Sequence, residues 1–293
     1  MRHYIFFFSL LTAGLLPTVG NAQLQMRGPE AGIWLGASNY LGDLNTDFRF
    51  NRPNLAGGIA GRYNFNHRLA ARASLSYGRV EARDSDSQNT FERERNLRFF
   101  SDIIDATGQF EFNFLPYYHG SYDYFFTPYA FVGASLFAFN PKSYAPGGQV
   151  IVLQPLGTEG QADGKEYSRL SAALAYGIGI KWDLTYELSL DAHLSMRNTL
   201  TDYLDDVSTT YPDLDQLKAQ RGDLAFVMSD RSLPTAAGER IPRDNTQRGD
   251  DTVKDRYLFL GIGINYYFGD VLCPKVHKGK KPRKPKRPKH RRP

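Results

Sequence analysis

Cysteine is nearly absent from this chain of 293 residues. The only one is Cys273, so no internal disulfide can form, and a free thiol or a bond to another chain remains. Beyond the first 22 residues no stretch reaches the roughly 18 consecutive apolar residues that a spanning helix needs, because charges or glycines interrupt every apolar run. If the mature chain enters a membrane, it must do so as a closed barrel. Walker A, HExxH, GxSxG and CxxC patterns are missing too. Their absence excludes the common nucleotide, zinc-hydrolase, serine-hydrolase and dithiol signatures, and no cofactor or metal is expected. A lipid enzyme built on a barrel would escape this search.

Positive charge is also scarce where it would matter for nucleic acid. The net charge of +5 arises from the end of the chain, because residues 275–293 hold 11 of the 36 Lys and Arg and no acid. The rest has 25 basic against 31 acidic residues and no basic stripe, so nucleic acid is not an expected partner.

The start reads MRHY, an apolar stretch, then Gly20-Asn21-Ala22 before Gln23. This is the pattern of a secretory signal peptide cleaved after Ala22, with no cysteine there to carry a lipid. A transmembrane anchor is disfavoured by the short apolar stretch, broken by Pro17 and Gly20. The expected organisation is a signal peptide over 1–22, a barrel over 23–272 and a tail over 273–293.

Strands of a membrane barrel alternate lipid-facing apolar and lumen-facing polar residues. From Ile104 to Leu115, Ile104, Ala106, Gly108, Phe110, Phe112 and Phe114 share one face, and Asp105, Thr107, Gln109, Glu111 and Asn113 the other. Residues 170–182, 188–197 and 258–268 alternate likewise, with Leu258 to Phe268 outward on the last. Weaker alternation over 31–42, 54–65, 69–82 and 127–140 completes eight strands, an even number as bacterial single-chain barrels require. The links 66–68 and 183–186 are tight and 116–126 is moderate, whereas 43–53, 83–96, 141–168 and 201–254 are mostly longer and polar. Short periplasmic turns and long outer loops produce this alternation, and both termini then lie in the periplasm. The fold class predicted is all-β: an eight-stranded antiparallel outer-membrane barrel, with a soluble β-sandwich or lipocalin-like barrel as the alternative.

A barrel of eight strands is just wide enough to be filled by side chains, so Arg72, Asp105, Glu111, Lys181, Asp191 and Arg197 are expected to pair across the lumen rather than line a pore. His193 and Asp191 beside Ser195 could act as base and orienter, but spacing along one strand favours a hydrogen-bond network. His67 and His119 fall in predicted turns and are expected in solvent. Asp202, Asp205 and Asp206 offer oxygens to a hard cation, yet lack EF-hand spacing, and a loop held by turn hydrogen bonds is the expectation. Gly57, Gly61, Gly177, Gly179, Gly261 and Gly263 suggest close packing or bends rather than a phosphate loop.

Past Phe268 the chain reads GDVLCP and then KVHKGKKPRKPKRPKHRRP. Repeated proline and like charge predict an extended, disordered arm. Cys273 would sit at the periplasmic rim in an oxidising compartment, where Lys275 and Lys278 favour the thiolate, and is the candidate for an intermolecular disulfide. The cations Lys275, Lys278, Lys280, Lys281, Arg283, Lys284, Lys286, Arg287, Lys289, Arg291 and Arg292 form a candidate contact for outer-membrane lipid, peptidoglycan or an acidic protein surface.

Several blocks carry a resemblance: SNYLGDL at 38–44, YNFN at 63–66, EFNF at 111–114, FTPYAFVGASLFAFNPK at 126–142, LQPLGTEGQ at 153–161 and TDYLDDVSTTY at 201–211. Together they resemble the PorG family, outer-membrane barrels of the type IX secretion system, over nearly the whole mature barrel. The resemblance implies a non-enzymatic component of that system, associated with a periplasmic ring of PorK and PorN and needed for cargo export. The basic tail is not part of the family pattern. An OmpA-like tether of the outer membrane to peptidoglycan and a barrel lipid-modifying enzyme are the alternative readings.

Overall fold

A computed structural model describes residues 28–269 apart from positions 236 and 240. The expected signal peptide, Cys273 and the basic tail lie outside the described residues. Strands β1 (Gly28–Leu41), β2 (Asn54–Asn64), β3 (Leu69–Arg83), β4 (Arg98–Asn113), β5 (Phe126–Tyr144), a short β6 (Val150–Val152), β7 (Leu170–Asp183), β8 (Leu188–Thr199) and β9 (Arg256–Tyr267) form one antiparallel sheet. Setting β6 aside, each strand pairs with its neighbour in sequence, and β1 pairs with β9 from Glu30↔Tyr267 to Leu41↔Arg256. The sheet therefore closes into an eight-stranded barrel without a crossover, and closure removes every strand edge from the wall.

All eight expected strands are present. The loop-side ends of β4 and β5 reach beyond the expected 104 and 140, because their ladder continues into water after the apolar alternation stops. Outward positions there change to Arg79, Asp102 and Lys142, which pair at 2.8 and 2.9 Å. Both tightest turns are fastened by a side-chain oxygen. Asn66 accepts from the backbone of Arg68 and Leu69, and Thr185 from that of Glu187 and Leu188.

The polarity of the wall is the reverse of a water-soluble protein's. Outward Leu55 is 77% exposed and Phe110 68%, whereas inward Asp105 and Lys181 are at most 1% exposed. Burying charge while exposing a continuous apolar belt is stable only against lipid, which removes the soluble alternative. Aromatic rings of Tyr63, Phe65, Phe112, Phe114, Trp182, Tyr266 and Phe268 ring the belt at the end where the first and last strands begin and finish, here the terminus end. The opposite end is the loop end. Leu258 departs from its expected lipid exposure and is buried. Its register partner Asn39 donates to the Arg49 carbonyl, so the β1–β2 loop lies against the wall at this height.

Two kinds of core fill the barrel. In the loop half, Trp34, Tyr40, Phe99, Ile103, Phe137, Phe139 and Phe259 pack with loop residues Leu44, Leu153, Leu204, Val207 and Met228. In the terminus half the filling is charged. Small residues on facing strands make room for the rings, and a Cβ on Gly261 would lie 2.6 Å from the Trp34 ring and 2.9 Å from His193 Nε2. Gly261→Val should therefore cost about 1–3 kcal/mol through overpacking, read as a lower urea midpoint of the barrel in detergent. An unchanged midpoint would show that the ring of Trp34 moves freely.

Candidate functional site

Arg62 on β2 is the hub of the charged lumen. Its guanidinium reaches Glu30 at 2.9 Å, Glu111 at 2.8 Å and Asp191 at 2.5 Å. Lys181 bonds Glu111 at 2.8 Å and Asn113 at 3.0 Å, and Arg72 approaches Asp191 at 3.5 Å. One layer closer to the loops, Asp105 takes Arg197 at 3.2 Å, Tyr257 at 2.7 Å and Ser135 at 2.5 Å. All six lumen charges expected from the sequence pair as expected. Glu30 and Arg62 were missed: Glu30 precedes the expected start of its strand, and Arg62 sits in a strand of weak alternation.

His193 Nδ1 lies 3.0 Å from Asp191, and its ring packs edge-on against Trp34. Ser195 is instead hydrogen-bonded to Arg197, so these side chains belong to the lumen network. His119 is a correction to its expected solvation. It is 4% exposed, lies 2.9 Å from both Glu30 and Asp183 and stacks on Tyr267 at 4.4 Å. Burial alone would lower its pKa, but the bonds to Asp183 and Glu30 outweigh this and raise it to about 9. The β4–β5 turn folds inward and closes the terminus end with a charged ring. His67 stays half-exposed, stacked on Tyr118.

At the loop end, the 200–255 excursion is ordered around a second network and includes α2 (Leu214–Arg221) and α3 (Asp223–Ser229), which follow α1 (Thr90–Arg95) in the β3–β4 loop. Arg248 is the centre. It bonds Glu159 at 2.9 Å, the Asp206 carbonyl at 2.5 Å and the Ser229 carbonyl at 3.4 Å. Its own carbonyl accepts from Arg95, which also grips Asp84 with two nitrogens at 2.7 and 2.8 Å. Glu159 accepts from the backbone of Ser208 and Thr209, while Thr158 and Tyr167 both donate to Asp206 at 2.6 Å. Asp202 takes Ser208 at 2.7 Å. Asp202, Asp205 and Asp206 are thus held separately by different partners rather than converging on one point. Three of the sequence blocks noted above, 38–44, 153–161 and 201–211, meet in this network.

Tyr40 Oη lies 2.6 Å from Asp205 and 2.5 Å from Asp255. A phenol has one proton to donate, so both contacts are hydrogen bonds only if one carboxyl keeps its own. Burial and the neighbouring carboxylates hold Asp205 and Asp255 well above the ordinary range. Burial likewise lifts Asp43 to about 7 and, against Arg248, Asp206 to about 6. Carboxyls raised in the folded state hold protons that an unfolded chain, titrating near 4, has released. Their stabilisation is complete below about pH 4 and is lost as the pH rises through 6 and 7. The excursion should accordingly resist protease better at pH 5.5 than at 8.5, and Asp255→Asn should reduce that difference. A pH-independent cleavage rate would contradict the shared proton.

Among solved structures, the chain is similar to Ail, the attachment invasion locus protein of Yersinia pestis, in complex with the heparin analogue sucrose octasulfate, at 14% identity and a TM-score of 0.40, covering 83% of this chain and 100% of that one. It is also similar to Neisserial surface protein A, at 12% identity and a TM-score of 0.39, covering 82% and 97%. The outer membrane protein OprG from Pseudomonas aeruginosa gives 10%, 0.40, 84% and 99%. No curated protein matches the sequence. Residues 6–225 match a family model described as Domain of unknown function (DUF6089), and the chain belongs to that family.

Proposed function

We propose that this protein is a non-enzymatic, non-conducting barrel of the Gram-negative outer membrane that serves type IX secretion, positioning the periplasmic PorK and PorN ring as the resemblance to PorG implies. The observation that carries the reading is the filled lumen. With charge pairs in one half, an apolar core in the other, His119 at the terminus end and the Arg248 network at the loop end, the barrel works through its outer surfaces. In support, the blocks that resemble PorG most specifically, 153–161 and 201–211, are those that build the loop-end network. In this reading both termini face the periplasm, Cys273 bonds a ring subunit or periplasmic lipoprotein, and the basic tail adds a salt-sensitive contact.

The test is to extract native outer membrane with thiols blocked, compare migration with and without reductant, and identify the partner by mass spectrometry. A ring subunit released by reductant and lost in Cys273→Ser is expected, together with failed cargo export when the protein is deleted. Normal export after deletion would overturn the secretion role, and recovery of peptidoglycan fragments alone would move the assignment to a tether.

A further inference from the structure

On the outer wall, beyond the ion pairs of Arg79, Asp102 and Lys142 that end the apolar belt, Arg83 and Arg98 face each other as register partners. Arg231, just past α3, reaches the same place, and the three line a cavity of about 250 Å³ with Ser85, Asn96 and Leu97. Arg98 Nη2 and Arg231 Nη1 both donate to one oxygen, the Tyr144 carbonyl, at 3.2 and 2.5 Å. Among the described residues no carboxylate lies within 4 Å of either guanidinium. Arg98 Nε is buried without a hydrogen-bond partner. Arg83 reaches Glu81 at 3.4 Å, but Glu81 is shared with Arg52, whose other partner is Asp86. Four guanidiniums against two carboxylates leave two positive charges without a carboxylate, and the Tyr144 ring, 5.2 Å from the Arg98 guanidinium, offsets only part of one. Burial and the like charge of Arg98 draw Arg231 below its ordinary pKa. Two half-buried like charges on one carbonyl repel each other, and an anion between them would relieve that repulsion.

We propose that this cavity binds a phosphate monoester, with Arg98 and Arg231 holding its oxygens and Arg83 and the Ser85 hydroxyl completing the site. A phosphate monoester carries close to two negative charges at neutral pH, matching the two that are unanswered, whereas a carboxylate would leave one. Planar guanidinium forks suit its oxygens. The cavity exceeds the volume of a phosphate group, leaving space for the moiety that bears it. Arg83 lies four residues beyond Arg79 along β3, about 13 Å at the strand rise and less once the strand tilts. The site therefore stands at headgroup height, within reach of a phosphate-bearing membrane glycolipid and of a soluble phosphate ester. It does not depend on a role in secretion.

The full chain, folded in detergent micelles, is titrated with inorganic phosphate, with a phosphorylated glycolipid and with its dephosphorylated counterpart, and read by calorimetry and by thermal unfolding. Saturable binding that raises the unfolding midpoint is expected, weakened at least tenfold in Arg231→Gln and abolished in Arg98→Gln/Arg231→Gln. Without ligand, Arg231→Gln should unfold at the same or a higher temperature, because it removes a like charge; a purely structural arginine would give a lower one. Glycolipid binding that dephosphorylation removes assigns the site to a membrane source, and preference for inorganic phosphate assigns it to a soluble one. No saturable binding of either, or affinity unaltered in the variants, overturns the proposal. Arg231 lies outside the barrel ladder, so its single variant decides the matter even if the double variant fails to fold.

Discussion

Arg62→Met should destabilise the barrel by about 3–5 kcal/mol, enough to lose much of the folded form. Arg62 is 4% exposed and answers Glu30, Glu111 and Asp191 together. Methionine fills much of its volume, so the expected loss is electrostatic: three carboxylates remain enclosed with Lys181, Arg72 and the His119 ring as their remaining cations. Removing one member of a buried ion network is costly because the others keep their desolvation penalty. Arg79→Ala is the control. Arg79 pairs with Asp102 at 2.8 Å, but its side chain is 44% exposed, and a pair of that kind contributes about 0–1 kcal/mol. The urea midpoint of detergent-folded protein separates the two. Equal midpoints would mean that the lumen network contributes no more than a surface pair. A cycle with Glu111→Gln then measures how much of the loss is that one contact.

A second large effect is expected at the opposite end, with a different readout. Arg248→Met should release the 200–255 excursion while leaving the barrel intact. Arg248 bridges Glu159, the Asp206 carbonyl and the Ser229 carbonyl, and also receives Arg95 on its own carbonyl. Without it, Glu159 and Asp206 lose the only cation paired with either among the described residues while their side chains stay buried, again an expected cost of several kcal/mol. The eight-stranded ladder does not pass through this residue, so the loss is local in the sense of an independently opening segment. Limited proteolysis should cut within 200–255, while the folded barrel still migrates as a compact band in an unheated gel. Loss of the compact band together with the excursion would show that the two ends unfold as one unit.

Much of this was legible along the chain. The period of two in Ile104–Asn113 or Leu188–Arg197 is imposed by strand geometry on each residue separately, so the lipid and lumen faces, the eight strands and the alternation of short and long links can be read locally. The same holds for the expectation that the lumen charges pair, since a narrow barrel leaves no other stable state for them. His119 was misread because turns normally lie in water. Here the barrel mouth is wide enough for the β4–β5 turn to fold inward, and only the joint presence of Glu30, Asp183 and Tyr267 shows why it does.

The sequence alone therefore determined the architecture and the kind of residue on each face. Which charge meets which was decided by the tertiary structure. Arg62 and its partner Asp191 are 129 positions apart, and Arg248 and Glu159 are 89 apart. Those pairings depend on how strand register accumulates around a closed sheet and on how four loops pack over its mouth, two quantities that no local pattern encodes. The same reason explains the cavity between Arg83, Arg98 and Arg231. Each is an unremarkable loop-end arginine by itself, and their shared, unanswered charge exists only once the β3–β4 ends and the excursion are brought together.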